Sequence, residues 1–303
     1  MQEKHSRSTP SLGPGDPSLA QARDTVDGRG PSRSAPKYSI CITHYNCGRT
    51  VAKSLESLLA QIDDRFEIVL VDSLSTDGSR RVLEELAEQG SIRLIEKACS
   101  RGRGRQIAVE AARGEYIISG LDMDEIFEPK ILKLLDFYHK RCEGKLLRGK
   151  WQGTMVVPRR LVIDLGGWRS LQYSENWDLQ KRAAARDFYR WTIFLLTKGD
   201  ENRHPERHTR WGRTKYRYVT YRENLRVGHR LFQPNERVGM EKRLTALAAL
   251  VTFPLYGSYR GGLKGFTSNE PQYFVDSRDW WYEGTNAERE RERYMTLLGR
   301  EFP

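Results

Sequence analysis

The sequence predicts an α/β fold: a mostly parallel sheet flanked by helices, followed by an irregular C-terminal extension. Three observations carry this. Short apolar runs alternate with stretches of helical spacing through residues 37–140, which is the pattern of strand–helix–strand units. Three of those runs end in polar clusters, His44-Tyr45-Asn46, Asp72-Ser73 and Asp122-Met123-Asp124, and ligands on open sheets sit at the carboxyl ends of strands. Beyond residue 200 the alternation fades. Residues 203–230 hold nine Arg/Lys against two acids, interleaved with Trp211, Tyr216, Tyr218 and Tyr221.

The elements follow in order. Residues 1–36 contain five of the twelve prolines, six serines, four glycines and no aromatic residue. Such a segment cannot bury enough surface to offset its ordering entropy, so a disordered tail is expected. Tyr38 to Thr43 reads as a first strand, and Val51, Leu55, Leu58, Leu59 and Ile62 follow at helical spacing. Phe66 to Val71 is rich in β-branched residues and reads as a second strand. A helix with Val82, Leu83 and Leu86 comes next, then a third strand over 91–95, a helix over 106–112 and a fourth strand opening at Tyr116. Pro129 suits the first turn of a helix carrying Ile131, Leu132, Leu135 and Tyr138. Met155 to Val157 and Trp191 to Leu196 read as strands, 174–186 and the start of 237–256 as helices. The expected organisation is a tail over 1–36, a catalytic domain over 37–200, and a basic, aromatic extension with a helix over 201–303.

Composition narrows the function. With 38% apolar and 10% aromatic residues, the chain can bury a core, which excludes a wholly disordered protein. A net charge of +11 favours anionic partners such as nucleotides, nucleic acid or lipid phosphates. Cys41, Cys47, Cys99 and Cys142 have no CxxC spacing, which suits reduced thiols in a cytoplasmic protein. No run of 18 apolar residues exists; the longest candidate, Leu244 to Tyr256, is interrupted by Pro254. No apolar segment follows Met1, so no secretory leader is expected.

Four groups of residues carry chemistry. Asp122 and Asp124, two apart at a strand's end, can share one Mg²⁺ or Mn²⁺, hard cations that bridge to phosphates. Asp72 ends the second strand, where a carboxylate can accept from a base N–H or a ribose hydroxyl; with Ser75, Thr76 and Asp77 beside it to cap the next helix, Asp72 is expected to stay free. Arg101, Arg103 and Arg105 alternate with Gly102 and Gly104, so a phosphate can be approached closely and gripped by a guanidinium. Glu175 and Asp178 share one helix face, and either can serve as a general base or merely as helix N-terminal charge.

Together these segments resemble the family-2 glycosyltransferases. Tyr38 to Asn46 is similar to that family's opening strand, Glu67 to Ser79 to its Val-Asp-x-x-Ser-Thr-Asp-Gly run, and Ala112 to Ile118 with Asp122-Met-Asp124 to its next motifs. Gly166-Gly167-Trp168 with Glu175 to Leu179 resembles the acceptor-side motif carrying the base. The resemblance implies a GT-A-like, Rossmann-related fold and inverting transfer from a nucleotide sugar to a hydroxyl acceptor, a glycan or lipid-linked one among the candidates. It implies donor contacts from Thr43, Tyr45, Asn46, Asp72, Arg103, Arg105 and Asp122, a Mg²⁺ or Mn²⁺ on Asp124 and Asp122, and a base at Glu175 or, failing it, Asp178. Two departures stand out: Ser73 where the family often has a second Asp, and Asn176 where it usually has an acid. The expected location is cytoplasmic, with peripheral contact at an anionic membrane face. The alternatives are nucleic-acid binding by the 203–230 stretch or a catalytically silent member of the same fold.

Overall fold

The computed structural model describes residues 35–149, 153–194, 196–200, 209–228, 231–232, 238–256, 258–259 and 271–275. The expected tail lies outside the described residues but for its last two, and so does the start of the 203–230 stretch.

Seven strands form the main sheet: β1 (Tyr38–His44), β2 (Phe66–Asp72), β3 (Arg93–Glu96), β4 (Tyr116–Ser119), β6 (Leu146–Gly149), β7 (Met155–Pro158) and β8 (Tyr189–Thr192). Their order is β3-β2-β1-β4-β7-β6-β8. β1, β2, β3 and β4 run parallel in register, β7 is antiparallel to both its neighbours, and β6 and β8 are again parallel. A second sheet pairs β5 (Glu125–Phe127) with β9 (Thr197–Asp200). The helices are α1 (Val51–Leu59), α2 (Ser79–Glu88), α3 (Arg101–Ala111), α4 (Ile131–Arg141), α5 (Arg159–Asp164), α6 (Glu175–Ala184), α7 (Arg210–Arg226) and α8 (Met240–Thr252). The expected α/β architecture with a mostly parallel sheet is the one observed.

The sheet is covered on both faces, which explains why its central strands read as continuous apolar runs. Alternate residues of β1 feed two different cores. Ile40 and Ile42 pack with Leu55, Leu58, Leu83 and Leu134 from α1, α2 and α4. Cys41 faces the other way, with Ile107, Leu161 and Leu179 from α3, α5 and α6. Burial also pushes the Cys41 thiol pKa far up, so it is inert.

The structure differs from the sequence reading in several elements, among them β5, β9 and α5, for which the sequence reading has no counterpart. Helix α3 begins at Arg101 rather than at residue 106, with the Ser100 hydroxyl capping the N–H of Arg103 at 3.3 Å. Its two glycines are there for space. A Cβ on Gly102 would stand 2.1 Å from the carbonyl oxygen of Arg169, and one on Gly104 2.9 Å from Cγ2 of Thr43. The strand expected over 191–196 is shifted to β8. Strand β6 and helix α7, which no periodicity announced, are both present.

Candidate active site

The carboxyl ends of β1, β2 and β4 open into a cleft of about 220 Å³. Thr43, Tyr45, Ser73, Arg101, Asp122 and Asp124 line it, with Ser100, Cys99 and Gln172 at its side. The three polar clusters at strand ends therefore do converge. The start of α3 borders the same space, so the positive end of a helix dipole and the Arg101 guanidinium face one cavity.

The 120–124 loop is held from behind by α1. Ser54, fully buried, donates to the carbonyls of Met123 (3.0 Å) and Glu125 (2.5 Å). Met123 is buried, which leaves the residues on either side turned to the cleft. Asp122 is exposed and Asp124 half-buried. Among the described residues no three acidic, His or Cys side chains gather as an all-protein metal cage. Two carboxylates on an open cleft fit a hard cation that draws its other ligands from water and phosphate.

Asp72 is not free, contrary to expectation. It is fully buried and lies behind the cleft wall. Its carboxylate pairs with Nδ1 of buried His44 at 2.8 Å and accepts the Ser75 hydroxyl at 2.5 Å and the Ser75 N–H at 2.9 Å. Burial pushes its pKa up, but these hydrogen bonds outweigh it and hold it below the ordinary carboxylate value. Nε2 of His44 is buried without a hydrogen-bond partner. Asn46 acts as a latch, its Oδ1 accepting the N–H of Thr76 at 2.8 Å across to the β2 loop.

The three arginines divide their work differently from the expectation. Arg101 reaches the cleft; burial opposes its charge, and the carboxylates of Glu175 and Asp122 outweigh burial and raise its pKa. Arg103 turns outward to Glu110 at 3.1 Å. Arg105 is buried, with Nη1 donating to Asn176 Oδ1 at 2.5 Å and Nη2 at 3.5 Å from Glu175 Oε1. Burial lowers its pKa, countered by Glu175 and Asp122.

Glu175 is 2% exposed and its Oε2 has no hydrogen-bond partner. Burial raises its pKa against the pull of Arg105 and Arg101. Asp178, the reserve base, is committed elsewhere: Oδ1 accepts Arg169 at 2.8 Å and Oδ2 accepts Arg182 at 2.6 Å. Asn176 is a structural acceptor, holding Arg105 and the Trp168 indole N–H (3.0 Å) on one oxygen.

Sequence reasoning missed His44, Ser54 and Glu223 as positioning residues. Buried Glu223, the single acid of α7, accepts the N–H groups of Gln172, Tyr173 and Ser174 at 2.5, 2.8 and 3.0 Å. It thereby fixes the turn that presents Glu175. Its isolation among arginines was the available signal.

Residues 39–175 match the model of Glycosyl transferase family 2. This segment is a family-2 glycosyltransferase domain. A Bacillus subtilis protein named as a glycosyltransferase, EpsE, is 44% identical over 52 residues, 17% of this chain and 19% of the relative. A Nostoc protein named as an uncharacterized glycosyltransferase is 36% identical over 106 residues, 34% of this chain and 33% of the relative. The chain thus aligns with a third or less of these curated relatives. The mannosyltransferase PcManGT from Pyrobaculum calidifontis, solved with GDP-Man and Mn²⁺, superposes with a TM-score of 0.50 at 16% identity, covering 75% of this chain and 77% of that one. Glucosyl-3-phosphoglycerate synthase from Mycobacterium tuberculosis, solved with Mn²⁺, UDP and glucosyl-3-phosphoglycerate, gives 0.51 at 16% identity over 64% and 81%. At that identity the likeness is one of fold, and the glycosyltransferase domain has the expected GT-A architecture.

Proposed function

We propose that the chain transfers a sugar from a nucleotide-sugar donor to a hydroxyl acceptor, with inversion and with a divalent cation. The carrying observation is the single cleft that joins Asp122, Asp124, Arg101 and the start of α3. Cation-binding carboxylates and anion-binding donors face each other across it, which suits a metal diphosphate. The donor and Mn²⁺ named for PcManGT supply the class of ligand carried over to this chain.

Thr43, Tyr45 and Ser73 would border the nucleoside, because they line the cleft on the β1 and β2 side. Asp72 supports that wall from behind through His44 and Ser75. Asp124 and Asp122 would hold Mg²⁺ or Mn²⁺, which when bound neutralises the leaving diphosphate. Arg101 adds a guanidinium to the same charge. Glu175 would accept the acceptor hydroxyl's proton as oxygen attacks the anomeric carbon from the face opposite the leaving diphosphate. Its unpartnered Oε2 and burial-raised pKa suit a base. Asn176 leaves Glu175 as the sole acid of that pair. The domain plan, a catalytic unit over 37–200 with a helical extension, belongs to this reading, as does a cytoplasmic location suggested by four cysteines without CxxC spacing. A glycan or lipid-linked acceptor fits equally.

A donor screen decides the matter. Nucleotide release is measured for UDP- and GDP-sugars, with Mn²⁺, Mg²⁺ or chelator, and with candidate hydroxyl acceptors. Acceptor-stimulated, metal-dependent release of one nucleotide is expected. No turnover of any donor and no nucleotide binding would overturn the reading.

A further inference from the structure

Helix α8 carries its large and small apolar residues on the unexpected sides. Thr245, Ala246 and Ala249 point inward, and the two alanines pack with Tyr221 of α7. Met240, Leu244, Leu247 and Val251 point outward and are 70%, 59%, 57% and 71% exposed. At 3.6 residues per turn these four fall within an arc of roughly 60°. Leu250 flanks the row, and Leu255 lies just beyond the helix at 82% exposure. Isolated surface leucines need no explanation, whereas a continuous row of them marks an interaction face.

The two packed helices that carry the row are basic in composition. Helices α7 and α8 together carry eight Arg/Lys and two acids. Both acids are engaged: Glu223 caps three backbone N–H groups, and Glu241 accepts Arg217 at 2.9 Å. Among the described residues no helix is long and apolar enough to cross a membrane, so the row has no spanning role.

We propose that α8 is an interfacial helix that seats on an anionic lipid bilayer. Met240, Leu244, Leu247 and Val251 enter the boundary between headgroups and acyl chains, and the basic side chains of α7 and α8 meet the lipid phosphates. Charge selects this occupant over a second copy of the chain. Two copies meeting through this face would bring two net-positive helix pairs together, whereas an anionic bilayer complements their charge. The proposal is independent of the sugar-transfer reading and stands or falls apart from it.

The test is co-sedimentation of the full chain with phosphatidylcholine vesicles, with and without phosphatidylglycerol, at low and high salt. Binding to the anionic vesicles at low salt is expected, at least about tenfold weaker at high salt or on neutral vesicles. The double variant Leu247→Glu, Val251→Glu should lose at least about tenfold. Both positions are exposed, so the variant should melt like the parent. No binding to anionic vesicles at low salt overturns the proposal, as does undiminished binding by the melting-competent variant or equal binding to neutral vesicles. A dimer in light scattering that the double variant dissociates would give the face to a second copy and also overturn it.

Discussion

The guanidinium of Arg105 stands 3.5 Å from the carboxylate of Glu175, both side chains being buried. That separation is longer than a charge-assisted hydrogen bond, while Nη1 of the same arginine is spent on Asn176. Glu175 is thus held near a cation without being neutralised by it. Asp178, one turn on, is gripped by two arginines. Glu175→Gln should therefore lower kcat at least about a hundredfold with donor affinity unchanged. Asp178→Ala should instead destabilise the fold by about 3 kcal/mol, the cost of leaving buried cations unpaired. Steady-state kinetics with thermal melts separates the two, and a reversed pattern would exchange their roles.

The same burial sets a pH dependence. A base works only when unprotonated, and the Glu175 pKa is raised above the ordinary carboxylate range. Turnover should fall as pH drops through that raised value, so the acid limb of the kcat profile lies above about pH 4.3, the usual value for a free Glu. The residual activity of Glu175→Gln should lack this limb. An unchanged limb in that variant would assign it to another group.

The three strand ends were legible because each apolar run and its polar cluster are contiguous in the chain. The start of α3 was not. Glycine is a poor helix former, so Arg101 to Arg105 read as a loop, and the carbonyl of Arg169 that requires Gly102 is remote in sequence. Asp72 misled for a related reason. Its capping by Ser75 is local, but its partner His44 comes from another strand, and that pairing is what buries it. Helix α7 escaped because its inward side is a sparse row of Tyr218, Tyr221 and Leu225 among basic residues, too weak a stripe to show periodicity.

Asp124→Asn should abolish metal-supported nucleotide binding while the fold persists, since Asp124 lines the cleft rather than the core. Asp122→Asn should weaken it less. Calorimetric titration of UDP and GDP with and without chelator reads the difference. Equal affinity in all four conditions would remove the metal from Asp124.

The His44–Asp72 pair predicts a stability profile. The Asp72 pKa is depressed in the folded chain. A carboxylate of that kind adds stability above its unfolded value of about 3.9, and the contribution fades as pH falls through the lower folded value. Asp72→Asn should lower Tm at pH 7 and flatten the loss of Tm below pH 4. A variant that melts in parallel with the parent across the acid range would show that Asp72 contributes nothing specific there.

Arg101 and Arg103 are two residues apart on the first turn of α3, yet only Arg101 lines the cleft. Arg103 faces Glu110 with both side chains well exposed, a pair worth about 0–1 kcal/mol. A guanidinium lost from a diphosphate removes a charge-assisted hydrogen bond of about 1.5–3 kcal/mol. Arg101→Ala should thus weaken nucleotide-sugar binding about ten- to a hundredfold, and Arg103→Ala should leave it within about twofold. Arg101→Lys should recover part of the loss, because a point charge replaces the fork. Fluorescence or calorimetric titration of the three variants decides it: a larger effect at Arg103 would mean that α3 presents its other side to the donor.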